Sequence, residues 1–371
     1  MINRETSTST CTITSTSTVV GARATWQDRR VNAAIILLLP WILATAAALA
    51  PAACPLGVRV SSALRDAGVG IAVQAVPGGD ACSPRGRSAA RLAGARTLLV
   101  QFQRMDPAAI ARADPDVLIV DSSWDGSGAR QLTRWDVRRL RWRANRAPRT
   151  VLAYLSLGEA EDYRYYWARS ARGGSASFLD RPNPKWPGNV RVRFWDPAWH
   201  AVVYSGRDAW IDRILDAGFD GVFLDTVDAA ETWQEEGRAD APARMADLIT
   251  ALARHARILA PGFLVVASNP FVLLGRPGIL DVLSGILAEG YVLDGESLAP
   301  PKRLASALDP LRSATRAGLS VMLVEYPKSR AGLDRFSSLC SSEGFLCYAG
   351  REALDRVGVL VPRKPWREMV R

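Results

Sequence analysis

Eight short apolar runs, each bounded by turn residues, limit what this chain can fold into more than any other feature. They read TLLVQFQ (97–103), DVLIVDS (116–122), TVLAYLS (150–156), GVFLDT (221–226), FLVVASN (263–269), VLSGILAE (282–289), SVMLVEY (320–326) and GFLCYAG (344–350). None keeps the strict alternation of a half-buried strand, so each suits a parallel strand covered on both faces. Helical periods lie between most of them. Met245, Leu248, Leu252 and Leu259 keep helical spacing until Pro261 and Gly262 end it. Trp210 with Ile214, and Ile211 with Leu215, sit four apart ahead of Gly218. Eight such units in about 250 residues predict an α/β fold, a (β/α)8 TIM barrel over 97–350 with an N-terminal extension. The alternative is a doubly wound open sheet, but no GxGxxG follows the first run.

The remainder of the 371 residues reads as additions to that barrel. Residues 1–54 open with a low-complexity Ser/Thr tail. Arg23, Arg29 and Arg30 then precede AAIILLLPWILATAAALA and the small-residue segment ALAPAAC. That is the layout of a signal peptide, with an uncleaved membrane anchor as its rival, and it predicts a secreted or envelope-associated protein. Residues 55–96 form an extension without a legible fold, and 351–371 a basic tail. Cys11 aside, the cysteines are Cys54, Cys82, Cys340 and Cys347, an even number that fits an exported chain. Pairing Cys54 with Cys82 and Cys340 with Cys347 is the simplest of three connectivities; Cys54 has a competing use as a lipidated N-terminus. With no CxxC and only His200 and His255, no zinc or other soft-metal site is expected, and His255 reads as structural. The net charge of +10 comes from scattered clusters such as WDVRRLRWRANRAPR, and no nucleic-acid-binding motif accompanies them. A monomer that meets a membrane only through its N-terminal segment is expected.

Chemistry in such a barrel sits at the carboxyl ends of the strands, so the polar residues closing each run carry the functional information. In order they include Gln101 and Gln103, Asp121, Ser156 with Glu159 and Glu161, Asp225 with Asp228, Asn269, Glu289, and Glu325 with Tyr326. Asp220 and Gly221 read as the turn entering the fourth strand. One terminal Asp would be an ordinary helix cap, but caps belong a step later, at the helix start. Carboxylates closing run after run suggest a site. They could hold Mg²⁺ or Ca²⁺ for phosphoryl transfer, but that chemistry wants a phosphate-reading Lys or Arg at the same ends, and none is there. Glycoside hydrolysis instead needs two carboxyls and aromatic side chains that stack on sugars. Trp124, Tyr154, Tyr163, Trp167, Trp195, Trp233 and Tyr326 fall near these ends. Most should be core, leaving two or three for ligand. The long segment after the third run, from Gly158 to about Tyr204, is rich in aromatics and turn formers and should wall the site.

Three stretches carry a family resemblance: VLAYLSLGEAEDYRYYW, WDPAW and GFDGVFLDTVDAAETW, followed by ILAEGY. Together they resemble glycoside hydrolase family 114, the endo-α-1,4-polygalactosaminidase type, over roughly 97–350. The resemblance implies a (β/α)8 barrel that cleaves an α-1,4-linked galactosamine-containing polysaccharide of an extracellular matrix, without a cofactor. It also implies that Asp225 and Glu289 are the catalytic pair. Asp121, Tyr154, Glu159, Asp228, Asn269, Glu325 and Tyr326 are then candidates to touch substrate. Asp225, near the open end, is expected to stay ionised, and Glu289, behind an apolar run, to be the acid. The chain has Glu325-Tyr326 where the family has Asp-Tyr. A barrel that binds glycan without cleaving it, and a metal-dependent phosphodiesterase, are the competing functions.

Overall fold

The computed structural model describes residues 90–143, 148–170 and 176–363, with the backbone of 57–62 and 71–76. The signal or anchor segment, any Cys54–Cys82 bridge and most of the N-terminal extension lie outside the described residues. Gly57–Ser62 and Ile71–Val76 pair as an antiparallel hairpin.

All eight apolar runs form strands: β1 (Leu98–Gln101), β2 (Val117–Val120), β3 (Thr150–Ser156), β4 (Gly221–Asp225), β5 (Leu264–Ser268), β6 (Gly285–Glu289), β7 (Ser320–Glu325) and β8 (Leu346–Ala349). They pair in parallel in chain order from β1 to β8. This is the barrel expected from the runs. Helices α1 (Pro107–Ala113), α2 (Arg134–Arg141), α3 (Trp210–Ala217), α4 (Ala229–Glu235), α5 (Ala241–Leu259), α6 (Pro301–Arg316) and α7 (Arg330–Glu343) alternate with the strands. Local chemistry sets their ends. The Asp106 carboxylate accepts from the amides of Ala108 and Ala109 at the start of α1, and Thr133 and Asp136 form a capping box on α2. Gly218, at φ +81°, stops α3 just ahead of β4. Met245, Leu248 and Leu252 are buried as their spacing predicts, whereas Leu259 is 62% exposed because α5 ends there, beyond the sheet.

The ring does not close by a β1–β8 ladder. A ninth strand, β9 (Val359–Val361), runs antiparallel along β8 and takes the edge position. The segment leading to it bridges the seam: Leu354 O accepts from the amides of Phe102 and Gln103, and Arg363 N donates to Arg96 O. Residues 351–363 therefore belong to the barrel rather than to a basic tail. The strand escapes a periodicity search because it is three residues long and flanked by Arg and Pro.

The two ends of the barrel differ. At the amino end of the strands, Asp220 is buried, pairs with Arg91 and Arg141, and accepts from Val151 N at 3.0 Å. It is thus a latch between β3 and β4, more than a turn residue. Gly221 beside it cannot be replaced, since a Cβ there would overlap the Cβ and carbonyl of Leu264. Above the carboxyl ends, the long segment after β3 folds into a three-stranded antiparallel sheet of Glu159–Glu161, Asn189–Val192 and Leu179–Pro182. WDPAW follows it as a capped turn: Asp196 accepts from Ala198 N, Pro197 opens the helix, and Trp199 is fully buried with its indole N–H on Leu157 O at 2.9 Å. The motif anchors the loop to the end of β3.

Candidate active site

Register decides which strand-end side chains share a face. Val266 of β5 lies level with Phe223 of β4 and Gly285 of β6, and Ser268 with Leu287. Asp225 and Glu289 each lie two residues beyond Phe223 and Leu287, so they emerge on the same side. Glu289 is level with Val324, which puts Tyr326 on that side and Glu325 on the other. Tyr154 is level with Phe223, and Asp121, one beyond Val120 and Ala153, joins them. Phe102, Tyr154 and Phe223 pack ring against ring beneath, with centroids 4.8–6.5 Å apart, and form an apolar floor under the carboxylates.

On that floor, Asp225 and Glu289 behave as a coupled pair. Burial, and next the charge of Glu289, push the Asp225 carboxyl up to about 8. Glu289 is also raised, first by burial, while the hydroxyl of Tyr326, donated to Oε1, works in the opposite direction. Held up to about 8, the Asp225 carboxyl keeps its proton at neutral pH, while Glu289 also resists ionisation. The expectation that Asp225 stays ionised is therefore reversed, because desolvation and the charge of Glu289 outweigh its partial exposure at the strand end.

The backbone around the pair is strained. Thr226 has φ +54° and Asn269 φ +46°, conformations that a β-branched residue in particular adopts only when its surroundings enforce them. Here the enforcing contacts are visible. Thr226 Oγ1 accepts from Gly158 N at 2.7 Å and meets Ser156 Oγ at 2.8 Å, and Leu157 N donates to Asp225 O. Gly158 must be glycine, since a Cβ would overlap the Thr226 carbonyl and the Ala229 methyl. Asn269 Oδ1 accepts from Glu289 N at 3.0 Å while its amide reaches Asp228 Oδ2 at 3.5 Å, so one side chain spans the ends of β4, β5 and β6. Asp228 is raised as well, by burial first, and no side-chain cap bond ties it to α4.

Four of the residues expected at the substrate are occupied elsewhere. Asp121, 5% exposed, is gripped by both terminal nitrogens of Arg164 at 2.8 Å. Arg164 also donates from Nε to Glu161 Oε2 at 2.6 Å and lies over the rings of Tyr154, Tyr163 and Trp210. Glu159 spends its two oxygens on the amides of Asn183 and Asn189, which staple the small sheet. Glu325 faces away, as the register requires, and accepts from the backbone of Val292 and Leu293, fixing the loop beyond Glu289. Tyr154 is nearly buried and directs its hydroxyl to Glu161 Oε1 at 3.3 Å; its ring supports Asp225 from below. Asp225, Asp228, Asn269, Glu289 and Tyr326 remain as one cluster. The buried triad of Asp121, Glu161 and Arg164 was missed by sequence reasoning, and the only signal for it was a lone Arg inside the aromatic stretch EDYRYYW. Among the described residues, no group of three or more His, Cys, Asp or Glu could hold a metal ion.

Other expected ligand aromatics are also committed to the protein. Trp195 and Trp233 meet edge to face at 4.8 Å, capped by Arg238 and Arg191. Cys340 and Cys347 form a disulfide tying α7 to β8.

Comparison with known proteins follows the same outline. The sequence pattern of Glycoside-hydrolase family GH114 matches residues 128–364. An uncharacterized protein of Deinococcus radiodurans is 32% identical over 244 residues, 66% of this chain and 75% of that one. One from Thermotoga maritima is 28% identical over 271 residues, covering 69% and 81%. Among solved structures, the glycoside hydrolase domain of PelA from Pseudomonas aeruginosa superposes with a TM-score of 0.56 at 22% identity, over 72% of this chain and 98% of that one.

Proposed function

The chain belongs to glycoside hydrolase family GH114, and we propose that it is an exported enzyme that cleaves an α-1,4-linked, galactosamine-containing polysaccharide with Asp225 and Glu289. The observation that carries this reading is the pair itself: two carboxyls that emerge on one face of the barrel over an apolar floor, both held back from ionising. Glycosidic cleavage needs both forms at once. A protonated carboxyl gives its proton to the leaving oxygen as the bond to the anomeric carbon breaks, and an ionised one meets the positive charge that develops there, directly or through a water. Tyr326 steadies the anion on Glu289, and Asn269 fixes the backbone beneath it. A bound ammonium would favour ionisation of Asp225, so a cationic amino sugar would draw the proton away from it.

The acidic cluster also answers the overall charge. A polymer of free galactosamine is repelled by a protein of net charge +10 at long range, but Asp225, Asp228 and Glu289 are carboxyls that a bound ammonium would help to ionise at the site itself. The Cys340–Cys347 bridge and the signal-peptide layout support export. The test is to incubate the protein with partly deacetylated galactosaminoglycan and count new reducing ends, with and without chelator. Metal-independent release, lost in Asp225→Asn and Glu289→Gln with the fold kept, is expected. Binding without release would make the chain a carbohydrate-binding barrel, and loss with chelator would make it a metal-dependent hydrolase.

A further inference from the structure

A groove of about 480 Å³ opens directly beyond Glu289, walled by Phe271 and Tyr291 on one side, Glu231 on another, and Arg303 and Pro310 of α6 opposite. Its volume lies within the range of small-ligand sites, roughly 300–1,000 Å³. Its walls come from the same three strand ends that carry the cluster. Glu231 follows Asp228 on α4, Phe271 follows Asn269, and Tyr291 lies two residues past Glu289. The Phe271 and Tyr291 rings meet at 4.7 Å and 60°, so each leaves a face uncovered by the other. Pro310 lies inside α6 and has no N–H for the Ser306 carbonyl, which also lines the groove.

Glu231 is the unusual member. Its backbone lies in α4, with the N–H on Asp228 O, and its carboxylate has no hydrogen bond or ion pair among the described residues. Arg303 across the groove is already engaged with Asp294 at 3.4 Å and Leu293 O at 3.3 Å. An unpaired, half-buried anion beside an aromatic wall matches one kind of guest: a pyranose ring with an apolar face to stack and a protonated amine to pair.

Building on the reading above, we propose that this groove is a subsite for a hexosamine unit next to the one being cleaved, its ring against Phe271 and Tyr291 and its ammonium on Glu231. Acetylation removes the charge, so Glu231 makes this position select the free amine, while the aromatic wall accepts either form. Binding tests this apart from turnover. Calorimetry on the Asp225→Asn protein would compare a short galactosamine oligomer with its fully N-acetylated counterpart, with and without Glu231→Gln. Glu231→Gln is expected to weaken the free-amine oligomer about tenfold and the acetylated one less than twofold; Tyr291→Ala is expected to weaken both. Equal affinities with and without Glu231→Gln, or no binding of either oligomer, would overturn the subsite. Binding that follows the prediction in a wild-type protein that releases no reducing ends would overturn the hydrolase reading and leave the subsite standing.

Discussion

Replacing Asp225 by Asn should abolish turnover and at the same time stabilise the fold, by an amount that depends on pH. Asn keeps the shape of the protonated carboxyl but cannot acquire its charge. In the folded chain Asp225 is pushed up to about 8, whereas in the unfolded chain an Asp titrates near ~3.9. A carboxyl raised on folding binds its proton more tightly in the native state, so stability falls as pH rises from the unfolded value through the folded one. Four units at about 1.4 kcal/mol each set a ceiling of roughly 6 kcal/mol above pH 8. Asp225 is only half-buried, and solvent screening of a partly exposed group lowers this, so about 2–3 kcal/mol is the working figure. At about 2–4 °C per kcal/mol, that is a gain of roughly 5–10 °C in Tm. Urea and thermal unfolding of both proteins at pH 4.5, 6 and 8 would show the two nearly level at the lowest pH and the variant pulling ahead as pH rises. Equal stability at pH 8, or a gap that does not widen with pH, would refute the claim that the fold holds this carboxyl against its preference for charge.

Other consequences are as concrete. Arg164→Met should cost about 3–5 kcal/mol, read as a lower urea midpoint, because Asp121 and Glu161 would be left as buried charges without a partner. Tyr326→Phe removes the hydroxyl that favours the Glu289 anion, so the acid limb of the kcat/KM profile should move to higher pH while the melting temperature changes little. Converting Cys340 and Cys347 together to Ala opens a short loop and should cost about 2–3 kcal/mol, reproduced in the wild type by reductant. Gly221→Ala should give little folded protein, since β5 cannot move away from β4 without breaking their ladder.

How much of this was legible beforehand follows from the range over which each feature is encoded. The eight strands were visible because each is a contiguous run buried on both faces, and the run itself is the signal. The closing strand Val359–Val361 was not, because three residues among charges leave no period to detect; its place depends on β8 and the seam beside β1. The site divided in the same way. Asp225 and Glu289 could be picked out by their motifs. Whether a strand-end carboxylate faces the site depends on register and partners: Glu325 is one residue out of phase with Glu289, and Asp121 faces inward but meets Arg164, some forty residues away in the chain. The proton on Asp225 depends on desolvation and on the charge of Glu289 two strands away, which no local pattern reports.

The central claim is that Asp225 and Glu289 break a glycosidic bond as a pair. Counting reducing ends released from partly deacetylated galactosaminoglycan by wild type, Asp225→Asn and Glu289→Gln tests it most directly. The account predicts steady release by the wild type and loss of at least a thousandfold in each variant, with both variants folded; release by either variant at the wild-type rate would contradict it.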